Sequence, residues 1–184
     1  HLSLRRQRQM CIRDRYETAR NMSDRLAALT VLTHHFAGSA AAETALGAFY
    51  DRFVDDQLVL DKWFMLQASA PDAGTLDKVV ALATHPAFRL ANPNRARALL
   101  AGLAGLNPYV FHRADGAGYR WMADMLGKLD TLNPQTAARM ATAFRSWRSM
   151  EPKRREAAQA ALSELAGRDG LSRDLADILD RTLR

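Results

Sequence analysis

Three Asn-Pro dipeptides, Asn92-Pro93, Asn107-Pro108 and Asn133-Pro134, constrain this chain more than any other feature of its sequence. An asparagine side chain accepts hydrogen bonds from the unpaired first-turn amides of a helix. A proline one step later costs nothing, because its missing N–H has no intrahelical partner at that position. Each dipeptide therefore starts a helix. The same pair is poorly suited to a central strand, where proline removes a ladder donor. Composition extends the argument to the whole chain: 33 Ala and 25 Leu stand against only 6 Val and 2 Ile, so good helix formers far outnumber the β-branched residues that favour strands. The expected fold class is all-α.

The remaining punctuation fills in the helices. Ser23 is a candidate cap for a helix reaching about residue 36, with Leu26, Leu29 and Thr33 on one face. Ser39 caps the next, whose Ala42, Leu46, Phe49 and Phe53 follow an i, i+4, i+7, i+11 stripe. A third covers residues 57–68, with Leu60 and Phe64 inward, and Pro71 stops it. A fourth, residues 75–84, presents Leu76, Val79, Val80 and Ala83 and ends before His85-Pro86. The second Asn-Pro opens only a short turn, whereas the third is expected to open one long helix to about residue 149. Residues 114–118, ADGAG, form a turn leading into a helix with Tyr119, Met122, Leu126 and Leu129 inward. Pro152 begins a helix ended by Gly167, and Ser172 caps a last one carrying Leu175, Ile178, Leu179 and Leu183. Nine or ten helices with short loops predict an irregular superhelical stack of antiparallel helix pairs, α-solenoid-like but without a strict repeat.

The net charge of +6 is unevenly placed: residues 1–15 carry +4 of it through Arg5, Arg6, Arg8, Arg13 and Arg15 against Asp14. They show no helical apolar period, and the string RRQRQMCIRDR resembles a translated sequencing-library adapter. Residues 1–15 are therefore read as a non-native or disordered basic segment, and the natural domain as residues 16–184. The one cysteine, Cys11, excludes an intramolecular disulfide and a cysteine-based zinc site, which is compatible with a cytoplasmic setting. No apolar run approaches the length needed to cross a bilayer, and no signal-like stretch follows the arginines.

Candidates for chemistry are sparse. There is no HExxH, GxSxG, GxxxxGK[ST] or GxGxxG pattern. His34 and His35 lie about 100° apart on a helix and do not share one metal. The acidic cluster Asp51, Asp55, Asp56 and Asp61 lacks the glycine and spacing of a calcium loop, and reads as a solvated face with helix-start charges. The stretch from Arg139 to Arg155, with Arg145, Arg148, Lys153, Arg154 and Trp147, is compatible with a phosphate-tracking groove, but reads more simply as a cationic face near a helix end.

Five strings go further: ARNMSDRLAAL (19–29), DKWFMLQAS (61–69), NPNRARALL (92–100), FHRADGAGY (111–119) and NPQTAARM (133–140). In this order the chain from residue 16 to 184 resembles the C-terminal half of the helical domain of the bacterial aminopeptidase N family, zinc-dependent alanyl aminopeptidases of the gluzincin class. The resemblance implies a cytoplasmic enzyme that releases N-terminal amino acids from peptides. It implies that the zinc sits in the parent enzyme's catalytic domain, held by HExxH and a downstream glutamate, with a GxMEN motif for the substrate amine. Neither motif occurs here, so no catalytic residue, metal ligand or cofactor is assigned to this chain, which alone is expected to be inactive. Its implied partners are the catalytic and N-terminal domains of the same polypeptide and peptide substrates, with no nucleic acid and no membrane.

By the same resemblance, Arg97 and Arg139 occupy positions where the family carries arginines facing an enclosed peptide chamber, and a guanidinium there suits a carboxylate or carbonyl oxygen. The bland alternative for each is pairing with a helix end or a neighbouring acid. The competing functional readings are a free-standing α-solenoid that binds a protein partner and a helical nucleic-acid binder. Truncation of a solenoid is expected to leave an apolar face open near residues 20–36.

Overall fold

A computed structural model of the chain describes residues 2–184. Among these it contains eleven α-helices, two short 3-10 turns and no strand: α1 (Leu2–Thr18), α2 (Met22–His35), α3 (Ala40–Phe53), α4 (Gln57–Ala68), α5 (Thr75–Leu82), α6 (Pro93–Leu106), α7 (Pro108–Phe111), α8 (Ala117–Asp130), α9 (Pro134–Ala141), α10 (Pro152–Ala166) and α11 (Arg173–Leu183). Neighbours in sequence pack side by side from α1 to α4, after which α4 packs on α6, α8 on α9 and α10, and α11 on both α9 and α10. This is the irregular stack of helix pairs that the short loops predict.

All three Asn-Pro pairs act as helix starts. Asn92 Oδ1 accepts from the amides of Asn94 and Arg95, Asn107 Oδ1 from Val110, and Asn133 Oδ1 from Thr136. Asn107 does more than cap. Its buried Nδ2 donates to the carbonyls of Ala68 and Ala70, at 3.0 and 2.7 Å, and so ties the α6–α7 corner to the end of α4. Asp130 makes the equivalent stitch further on, accepting from the amide and hydroxyl of Ser172 and thereby joining the end of α8 to the start of α11.

Several expectations need correction. The cap of α2 is Asn21, whose side chain accepts from the Asp24 amide, not Ser23. Val80 is exposed, because α5 turns Leu76, Val79 and Leu82 inward instead. The helix begun at Pro134 does not run to residue 149: after Ala141 the chain tightens into 3-10 turns at Thr142–Phe144 and Trp147–Ser149. The first buries Phe144 against Phe111 and Tyr119, at ring separations of 5.4 and 5.8 Å. The second buries Trp147 and lets its indole N–H donate to the Thr182 carbonyl of α11.

Residues 2–18 are helical and lie on α2, so the face near residues 20–36, expected to be open, is covered. The sequence shows no apolar period there because little of α1 is inserted. Ile12 is half-buried, and among the described side chains of α1 Tyr16 alone is buried, its hydroxyl donating to the Ala45 carbonyl. Where helices must touch closely, glycine is needed. A Cβ on Gly118 would stand 2.5 Å from the Phe111 carbonyl oxygen, so the first turn of α8 reaches the α7 backbone only without one.

Candidate functional site

Residues two apart on a helix point to nearly opposite sides, and this separates the two arginines of the NPNRAR string. Arg95 turns inward. Its guanidinium is buried over the Phe64 ring, pairs with Asp61, and donates to Gln57 and to the Ala87 carbonyl. Arg97 turns outward with Ala101, Ala104 and Gly105, a face of small residues that leaves a trough along α6. Across it, Arg139 leaves α9 on the same side as Thr142 and Ala143, the i+3 and i+4 positions, and Arg145 and Ser146 follow in the tightened segment.

These residues line a cleft of about 450 Å³, to which Met122 of α8, Met140 of α9, Pro108 and His112 also contribute. Arg97 and Arg139, which the resemblance assigns to one chamber, open on one space here, joined by Arg145. No carboxylate lines it. Among the described residues Arg97 donates only to the Asn94 side chain, at 3.4 Å, and neither Arg139 nor Arg145 has an acidic partner. Three guanidinium groups without counter-charges in a concave, partly apolar space attract an anionic or carbonyl-bearing ligand. Ser146 and His112 both line the cleft, but among the described residues no hydrogen bond joins them and the His112 Nδ1 is engaged by Tyr119, so the chemistry this arrangement supports is binding.

His112 also lines the cleft. Its ring packs on Phe111 at 4.9 Å, and Nδ1 lies 2.8 Å from the hydroxyl of buried Tyr119. Burial, and secondarily the Arg154 charge, hold its pKa below the ordinary 6.5, while burial pushes the Tyr119 phenol up.

The other singled-out residues have structural roles. His34 Nε2 sits 3.2 Å from the Leu66 carbonyl and 3.3 Å from the Ser69 hydroxyl. His85 packs among Tyr50, Trp63 and Phe64 and accepts the Ala87 amide. Cys11 is exposed on α1. The acidic cluster divides: Asp56 caps α4 by accepting from Leu58 and Val59, while Asp61 is the partner of Arg95. Sequence reading placed Asp61 on a solvated face and overlooked Arg95. The signal available was their place in the stack, for Arg95 lies one turn into α6 on the face that meets α4.

In the basic stretch, Arg148 donates to the Thr182 and Leu183 carbonyls at the end of α11, and Arg154 pairs with Glu151 and donates to the His112 carbonyl. The zinc implied by the resemblance does not fit these residues. His34 and His35 are neighbours on α2 that diverge around the helix, His85 and His112 lie on other segments with the partners just named, and no three His, Cys, Asp or Glu side chains among the described residues converge as a ligand set.

Comparison with known proteins gives a consistent picture. Residues 2–184 match the model of a family described as a domain of unknown function (DUF3458_C) with ARM repeats. The chain is 39% identical to aminopeptidase N of Escherichia coli over 169 residues and 36% identical to that of Caulobacter vibrioides over 168, in each case 91% of this chain and 19% of the relative. For aminopeptidase N of Haemophilus influenzae the identity is 36% over 173 residues, 94% of this chain and 20% of the relative. The chain thus spans about a fifth of the length of these relatives. A crystal structure of Legionella pneumophila aminopeptidase A in complex with aspartic acid superposes with a TM-score of 0.89 at 28% identity, covering 95% of this chain and 20% of that one.

Proposed function

This chain belongs to the ARM-repeat family DUF3458_C, and from that membership and its aminopeptidase relatives we propose that it is the C-terminal helical part of a cytoplasmic zinc aminopeptidase that releases N-terminal amino acids from peptides. Its contribution is a wall of the peptide chamber. The zinc and the catalytic carboxylate belong to the remaining part of the polypeptide, which this chain meets as its natural partner. Residues 1–15 are read as foreign to that enzyme on the adapter-like string RRQRQMCIRDR, even though residues 2–15 form most of α1 and fall within the family match. Sequencing genomic DNA upstream of the Tyr16 codon tests this point, and an in-frame match to residues 1–15 refutes it.

The observation that carries the reading is the meeting of Arg97 and Arg139, from two helices, in one cleft without a carboxylate. Guanidinium groups without counter-charges there attract a peptide by its oxygens, and the apolar lining of Ala101, Ala104, Met122 and Met140 removes water from part of its length. The test uses the full-length enzyme. Arg97→Ala and Arg139→Ala are each expected to raise KM for tri- and tetrapeptides roughly tenfold, the loss of one charge-assisted hydrogen bond, while KM for single-residue alanyl amides changes little. Equal effects on both substrate types refute a peptide-binding role. Residues 16–184 alone are expected to show no chelator-sensitive cleavage of alanyl substrates, and measurable turnover overturns the division of labour.

A further inference from the structure

His112 belongs to two hollows at once. It lines the arginine cleft, and with Pro108 it also lines a second hollow of about 470 Å³ that is bordered by Tyr109, Arg113 and Arg154. Its position is fixed from both ends. The backbone ends α7, with its amide donating to the Pro108 carbonyl and its carbonyl accepting from Arg154 Nε, and the ring is held by Tyr119.

The Tyr119 contact decides the tautomer. Tyr119 is 1% exposed, and among the described residues its hydroxyl has no partner except His112 Nδ1, at 2.8 Å. If Nδ1 carried the proton, the buried phenolic O–H would be left without an acceptor, which is costly. The phenol therefore donates to Nδ1, and the proton of the neutral ring sits on Nε2. The two nitrogens flank Cε1, and their in-plane hydrogen-bonding directions diverge widely. With Nδ1 aimed at a buried hydroxyl, Nε2–H is the free donor of this half-buried ring: it has no partner among the described residues and is not sealed from solvent.

We infer that His112, held as its Nε2–H tautomer by Tyr119, is a neutral hydrogen-bond donor that takes an oxygen atom of a peptide lying across the two hollows. This rests on the peptide-binding reading above and adds a specificity residue to it. A neutral donor between cationic walls accepts a main-chain carbonyl as readily as a carboxylate, so it favours an extended peptide over an isolated anion.

The experiment is nitrogen-15 NMR of the imidazole-labelled chain with tetra-alanine and tetra-alanine amide as probes. The expected spectrum shows an unprotonated Nδ1 and a protonated Nε2 for His112, and both probes move the Nε2 signal. Movement by the acid alone assigns the oxygen to the C-terminal carboxylate, whereas movement by both assigns it to a main-chain carbonyl. His112→Phe, which keeps a ring without the donor, is expected to weaken probe binding roughly five- to tenfold, and His112→Gln, which restores a donor, to recover most of that loss. A protonated Nδ1, an unmoved Nε2 signal, or equal losses in the two variants overturns the inference. Peptide binding with these signatures alongside a full-length protein without aminopeptidase turnover defeats the enzymatic reading alone. Turnover that is indifferent to His112→Phe defeats this inference alone.

Discussion

Arg95→Ala is the perturbation that most directly probes how the stack is held. The side chain is 1% exposed and its partner Asp61 is largely covered, so deletion strands a carboxylate in a poorly hydrated space. Removing one member of a buried ion pair costs about 3–5 kcal/mol. The Asp61 side chain keeps 16% exposure, which allows some rehydration and favours the lower half of that range. Against this, the Gln57 side chain and the Ala87 carbonyl also lose a donor, and the cation over Phe64, at 4.9 Å, adds roughly 1 kcal/mol when desolvated. The sum is about 4 kcal/mol.

In urea, with an m-value of about 2 kcal/mol/M for a domain of this size, that is a fall of about 2 M in the midpoint followed by far-UV circular dichroism. Arg95→Met combined with Asp61→Leu is expected to recover most of the loss, since replacing both partners removes the stranded charge. A single-variant shift below about 0.5 M, or a double variant no better than the single, refutes the argument that this pair is a desolvated tie between α4 and α6.

Two further outcomes follow from the same geometry. Gly118→Ala is expected to cost at least about 2 kcal/mol, because its Cβ would meet the Phe111 carbonyl oxygen at 2.5 Å and force α8 off α7, whereas Gly105→Ala, which meets nothing within 4 Å, is neutral or stabilising by about 0.5–1 kcal/mol; thermal melts that rank the two alike contradict the close approach. His85 and His112 both have pKa values below the ordinary 6.5, by burial first and then by Arg95 and Arg154 respectively. The folded state therefore binds fewer protons than the unfolded one, so the stability they contribute is full above about pH 6.5 and is lost as pH falls through their lowered values. The acid limb of a stability–pH curve is expected to flatten in a His85→Gln, His112→Gln double variant, and an unchanged limb counts against this assignment.

Most of the helical framework was legible in the sequence because its causes are local. A cap needs only an asparagine, serine or aspartate at the right place, and an apolar stripe needs only spacing. The Asn-Pro starts, the Ser39 and Ser172 caps, and the inward set Tyr119, Met122, Leu126 and Leu129 all follow from such short-range rules. Arg97 and Arg139 are joined in the sequence only through the motif resemblance, which implies one chamber for both; they lie on α6 and α9, and the packing of these helices is what opens both onto one cleft. Helix breaks without proline or glycine were not legible. The chain tightens after Ala141 where Phe144 and Trp147 find partners on α7, α8 and α11, and that is a property of those surfaces.

By itself, the sequence determined an all-α chain, the starts of its helices and the inward faces of most of them, since hydrogen bonds at helix ends and the 3.6-residue period act over a few residues. Only the tertiary structure decided which charges are buried. Arg95 and Arg97 are two residues apart with the same side chain, yet one is desolvated against Asp61 and Phe64 and the other lines an open cleft. Desolvation depends on what another helix places opposite a residue, and no local pattern records that.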